Sequence, residues 1–270
     1  MIKVNKWTLG LAAVGLVSLP AATLAEEQLS PVQTALDSTV ISGYVNTSAQ
    51  YDIGTGNYGA PAYSYNKGKQ DGFNLNAVKL TVERPLNETQ WAAGYKVDLM
   101  FGPDADAFGT TLNGFSGTTG SAGAGHTHNF SGGDIDNFAV RQAYVALRTP
   151  VGNGLDFKIG VFDTVIGYES TDAGSNPNMT RSWGYTIEPV SHTGVLSSYK
   201  FNDVVGASVG IANTFGPAIN EKTWNPYGEA ESLKTYMGSL VFTAPESMGF
   251  LSGSTLYGAV VNGYNSNTNS

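Results

Sequence analysis

The chain has no cysteine and few charges, and past its first two dozen residues it has no long apolar run. The absence of cysteine excludes a disulfide scaffold. Charged residues make up 13% of the chain, about half the ~25% usual in a soluble domain. A membrane helix needs ~20 consecutive apolar residues, and no later segment reaches that length. If the chain crosses a bilayer, it therefore crosses with strands. Histidine is scarce, at three residues. H-E-x-x-H does not occur, and G-x-S-x-G, met at 206–210, lies inside an alternating segment and not at the strand-to-helix turn of a nucleophile elbow.

The first 25 residues have the layout of a cleavable export signal. Lys3 and Lys6 precede an apolar stretch at 7–19, and Ala21, Ala22, Thr23, Leu24 and Ala25 form a small-residue cleavage zone. The expected cut follows Ala25, and residues 26–37 are then a short N-terminal periplasmic segment. Without Lys3 and Lys6, 12 basic residues remain against 22 acidic ones, a net charge of −10. Such a balance argues against nucleic acid as a partner, since nucleic acid selects basic faces.

From residue 38 the chain has a rhythm. Segments of about ten residues alternate in polarity with period two, the signature of strands with two unlike faces. Their connectors alternate in length. Those at 53–71, 101–137, 163–189 and 214–232 are long, whereas those at 85–89, 149–154, 202–203 and 244–253 are short. Transmembrane β-barrels show this asymmetry, with tight periplasmic turns and long outer loops.

The segments can be read residue by residue. From 41 to 51 the odd positions are apolar or small (Ile41, Val45, Ala49) and the even ones polar (Ser42, Asn46, Ser48). In the second segment Phe73, Leu75 and Ala77 are out of phase with Val78, Leu80 and Val82, which predicts a bulge near Ala77. The third segment sets Trp91, Ala93, Tyr95, Val97, Leu99 and Phe101 against Ala92, Gly94, Lys96, Asp98 and Met100. The fourth, 138–148, is ambiguous; Ala143, Val145 and Leu147 are favoured outward, with Gln142, Tyr144 and Arg148 inward. The fifth sets Leu155, Phe157, Ile159 and Val161 against Asp156, Lys158 and Gly160, and the seventh sets Val205, Ala207, Val209 and Ile211 against Gly206, Ser208 and Gly210. Leu240 and Phe242 are expected outward in the eighth. The ninth, 254–264, fits either phase.

In the clear strands Lys79, Glu83, Lys96, Asp98, Asp156 and Lys158 all fall on the polar face. A lysine facing lipid at the midplane costs ~2–4 kcal/mol, so a barrel would segregate charge in this way. A soluble sandwich has the same two faces turned inside out. The export signal, the alternating connectors and the aromatic ends of the third strand favour the barrel. The fold expected is all-β: an antiparallel up-and-down transmembrane β-barrel over 38–270. About nine strands are present, an odd number where such barrels are even, and the expectation is that C-terminal strands are missing.

Residues 141–169 read RQAYVALRTPVGNGLDFKIGVFDTVIGYE. An aromatic strand, a P-x-G-N-G-L turn, a K-I-G-x-F-D-T strand and I-G-Y-E follow one another. This order resembles the β-barrel porins of the OmpL-like group. Arg181-Ser182, Glu188-Pro189, His192-Thr193-Gly194, the run 82–86 and the run 92–98 are similar to the same family, and the resemblance covers roughly 41–264. It implies an outer-membrane, porin-like channel in a Gram-negative envelope.

Other chemistry is sparse. His126 and His128 form a His-x-His in a Gly-rich loop, a pattern that can bind zinc or copper. No third ligand is evident, and a solvated loop is the simpler expectation. Asp104, Asp106, Asp134 and Asp136 flank that loop with calcium-type oxygens. Glu169 is expected to brace the outer loop by accepting backbone hydrogen bonds, ahead of facing the pore, with Arg181 or His192 as a partner for it or for Asp172. A Ser/His hydrolase using His192 is the enzyme alternative, and the expectation is no enzyme, no cofactor and no metal.

The function expected is passive diffusion of small hydrophilic solutes, with Lys79, Glu83, Lys96, Asp98, Asp156 and Lys158 lining the pore. Their signs nearly cancel, and the acidic total leans slightly towards cations. The loop 101–137 is the candidate to fold inward, or else to stay at the surface. The alternative is a surface barrel that binds a partner through its long outer loops without an open pore. Partners expected are outer-membrane lipid, small solutes and, in a homo-oligomer, further copies of the chain.

Overall fold

The computed structural model describes residues 38–50, 72–106, 110, 138–220, 223 and 233–264. The expected signal and periplasmic segment (1–37), His126 and His128, and most of the loop 101–137 lie outside the described residues. Nine strands form one sheet in chain order, each antiparallel to the next. They are β1 (Val40–Gln50), β2 (Gly72–Arg84), β3 (Ala93–Phe101), β4 (Phe138–Thr149), β5 (Leu155–Asp163), β6 (Ser191–Lys200), β7 (Val205–Ala212), β8 (Thr235–Thr243) and β9 (Thr255–Asn262). The sheet is open, with β1 and β9 as its two edges.

Connectors alternate as expected. Those at 51–71, 102–137, 164–190 and 213–234 lie at one end of the strands, and the short ones at 85–92, 150–154, 201–204 and 244–254 lie at the other. Two short helices, α1 (Pro103–Asp106) and α2 (Trp183–Ile187), fall within long connectors. The β4–β5 turn uses Gly152 (φ 57°) and Gly154 (φ 102°) in left-handed conformations that glycine adopts without a Cβ penalty. One strand boundary differs from expectation. Trp91 has φ 58° and belongs to the turn before β3, because a strand cannot accommodate that backbone angle.

The two faces separate as the period requires. Val45, Leu80, Val145, Ile159, Val209, Leu240 and Val260 are exposed along the middle of the outer face. Exposed aromatics lie towards the strand ends: Phe73, Phe101 and Tyr236 at the long-connector end, and Trp91, Phe201, Phe242 and Phe250 at the other. An apolar band between aromatic girdles is the outer surface of a transmembrane barrel, and the opposite of a sandwich, which buries its apolar face.

Two bulges adjust the phase. Asn46 pairs with Ala77 and Thr47 with Leu75, leaving Asn76 as the extra residue. Asp98 pairs with Gln142 and Leu99 with Val140, leaving Arg141 extra in β4. The first is the bulge the phase change predicts. The second explains why β4 is ambiguous in sequence, since its alternation is interrupted at Arg141. Small apolar clusters sit inside at the long-connector end. Ala77, Met100 and Ala139 hold Ala105 of α1, with Val190 against them, and Phe162, Leu196, Ala212 and Met237 pack with Tyr144, Val165 and Val261.

Candidate functional site: the charged inner face

Strand register brings Lys79, Glu83, Lys96, Asp98, Asp156 and Lys158 onto the one inner face, as strict alternation in β2, β3 and β5 demands. Asp98 is at the centre of a network. Its carboxylate accepts from Thr81 Oγ1 at 2.6 Å and Gln142 Nε2 at 2.9 Å, and Lys79 Nζ lies 3.2 Å away. Lys96 pairs with Glu83 at 2.9 Å and stands 3.9 Å from Asp98. Nearer the short turns, Arg148 grips Asp156 through two bonds of 2.6 and 2.8 Å, the bidentate fork that guanidinium favours. Lys158 lies over the Tyr144 ring, 4.9 Å from its centroid, within cation–π range.

A long connector closes over this face. Asp172, from 164–190, accepts from Lys79 Nζ at 2.9 and 2.8 Å and from the Tyr44 hydroxyl at 3.2 Å. Thr171 Oγ1 accepts from Arg141 Nη2 at 3.0 Å, and the same nitrogen donates to Asp163 at 2.7 Å. The Gly167 carbonyl accepts from Tyr257 of β9 at 2.6 Å. Residues 167 to 172 thus reach from one edge strand to the other. Six extended residues span at most about 20 Å, whereas nine flat strands spaced ~4.8 Å apart would be nearly 40 Å wide. The sheet is therefore curved around the connector. Asp172 meets Lys79 midway along β2, where Lys79 is in register with Met100 near the long-connector end of β3.

The connector is braced internally. Asn176 Nδ2 donates to the carbonyls of Ser170 and Asp172, each at 2.8 Å, and Asn176 Oδ1 accepts from Ser170 N at 2.8 Å. Glu169 accepts from Ser182 N at 3.1 and 3.0 Å and from the Ser182 hydroxyl. Ser182 in turn caps α2 by accepting from Tyr185 N at 3.3 Å. Beneath the connector is a cavity of about 190 Å³ whose walls include Arg141, Asp163, Glu169 and Glu188, room for a few waters at ~30 Å³ each.

The pairings expected of His192 do not form. His192 is fully buried, with its ring nitrogens 3.1 Å from Thr164 Oγ1 and 3.4 Å from the Thr214 carbonyl. Arg181 donates to the carbonyls of Asn178 and Met179 and stacks near Tyr185. His192 pairs with neither Glu169 nor Asp172, because its ring is held by a nearer carbonyl and hydroxyl oxygen. Of the candidate calcium residues, Asp104 is buried within α1, and Asp134 and Asp136 lie outside the described residues. Among the described residues no group of three or more His, Asp or Glu could hold a metal ion. The role of Asp172 as the inward anchor was not visible in sequence, since its partners Tyr44 and Lys79 lie 128 and 93 residues away.

No curated protein and no solved structure matches the chain. One family model does match, over residues 38–270, spanning the whole described sheet and its connectors. With the nine antiparallel strands, the outward apolar band and the inward charges in agreement, the chain belongs to the family described as "Putative beta-barrel porin-2, OmpL-like".

Proposed function

We propose that the inner face lines a water-filled passage through the outer membrane, open to small hydrophilic solutes by passive diffusion. The observation that carries this is the division of the sheet: apolar side chains exposed on one face, and Lys79, Glu83, Lys96, Asp98, Asp156 and Lys158 on the other. Membership of a porin family implies the outer membrane as the location. On this reading Glu83, Lys96, Asp156 and Lys158 touch solute and water, Lys79 and Asp98 stand buried beneath Asp172 as their support, 164–190 narrows the mouth, and Glu169 stiffens that connector. Unpaired backbone groups facing lipid cost several kcal/mol each, so the passage requires strands that pair with the free edges of β1 and β9. The proposed activity, passive diffusion, is not enzymatic.

A second reading has one observation in its favour. The connector 164–190 crosses the concave side and ties β1, β2, β4 and β9 together, as it would in a surface barrel that binds a partner without an open pore. Planar-bilayer recording separates the two. The channel reading expects stepwise current after insertion of the purified chain. Insertion with a flat current record would select the closed, partner-binding barrel.

A further inference from the structure

Among the described residues, the inner face and the connector over it bring together five cations (Lys79, Lys96, Arg141, Arg148, Lys158) and five carboxylates (Glu83, Asp98, Asp156, Asp163, Asp172). Lys79, Lys96, Arg141 and Arg148 each contact a carboxylate directly. Lys158 does not. Its one partner among the described residues is the Tyr144 ring, and its nitrogen is not among the buried atoms that lack a partner, so it remains open to water. An aromatic face attracts an ammonium but accepts no conventional hydrogen bond from it. An ammonium has three N–H donors and behaves as a compact point charge.

The surroundings of Lys158 are uncharged on one side. Its cross-strand neighbour on β6 is Leu196, and diagonal to it is Ser198, whose hydroxyl lies 2.9 Å from that of Ser208 on β7. In register with Ser208 on β8 is Ser239. The wall beside Lys158 is thus the apolar row of Leu196, Gly210 and Met237, flanked by a row of hydroxyls in register with Asp156, which Arg148 holds. No carboxylate on β6, β7 or β8 faces this lysine, as their inner positions are Gly194, Leu196, Ser198, Gly206, Ser208, Gly210, Met237 and Ser239 among others.

We propose that Lys158 is an anion-binding station in the channel wall, which takes the carboxylate of a small organic anion with help from the Ser198–Ser208 hydroxyls. The inference rests on the channel reading. It opposes the slight cation preference that the acidic total alone suggests, because each inner carboxylate already contacts a cation while this ammonium contacts no carboxylate. Lys158 is then the specificity-determining residue of the passage.

Reversal potentials of the full chain in planar bilayers, under gradients of potassium chloride and of potassium acetate, test this. In Lys158→Gln the anion-to-cation permeability ratio should fall by roughly threefold for both salts, the factor one unit charge a few ångströms from a passing ion produces in water. Lys158→Arg should keep the wild-type ratio. Lys200→Gln, which removes the same charge at the solvent-exposed end of β6, where Lys200 is paired with Asp203, should also keep it. An unchanged ratio in a conducting Lys158→Gln channel overturns the station and leaves the channel standing. Absence of current from the wild type overturns both.

Discussion

Asp98 keeps only 1% of its side chain accessible. A hydroxyl, an amide and two lysines surround it, the partners that burying a carboxylate requires. Asp98→Ala should cost about 2–3 kcal/mol, since it strands Gln142 and Thr81 and weakens the hold on Lys79. Asp98→Asn, which keeps an acceptor, should cost about half of that. Urea titrations of the refolded protein in liposomes read both values. Gly160 is a second sensitive position. Its φ of 132° and the Ala143 carbonyl where a Cβ would stand leave room for no side chain. Gly160→Val should destabilise by about 2–3 kcal/mol, or prevent assembly, in the same titration. Asp98 could be placed from sequence because it lies in the strictly alternating β3. The need for glycine at 160 could not, because it arises from the approach of β4.

At the scale of elements, legibility followed regularity. β3, β5 and β7 alternate without interruption, and their faces are as the sequence indicates. β2 also yielded its bulge, because apolar residues switch phase on either side of Asn76. β9 could not be phased, since Gly258, Ala259, Val260 and Val261 place small or apolar residues on both faces. The connector 164–190 was hidden for another reason: its inward fold is held by long-range pairs that no local pattern announces. Asp172→Ala removes the tie to Lys79 and Tyr44 while leaving the Asn176 and Glu169 braces intact. Single-channel conductance should rise in this variant, and proteolytic cleavage within 164–190 should become faster. A variant with wild-type conductance and protection would show that the connector does not narrow the passage.

For the molecule as a whole, the decisive property is which face meets hydrocarbon. Val209 and Ser208 are neighbours in the middle of β7 and point to opposite sides. An arginine facing lipid at the midplane costs about 2–4 kcal/mol, whereas one facing water costs little. Val209→Arg should therefore lower the unfolding midpoint in liposomes far more than Ser208→Arg.

The absence of cysteine allows a more direct measurement. Single cysteines placed in turn at each position of β7, 205–212, can be probed in membranes with a water-soluble thiol reagent and, after fluorophore attachment, with brominated lipid. The account predicts an alternation: positions 206, 208 and 210 react from water, the odd positions are quenched by lipid, and position 212, buried among Phe162, Leu196 and Met237, is shielded from both. Uniform behaviour along the strand, or reaction from water at Val205, Val209 and Ile211 with lipid quenching at Ser208, would contradict it.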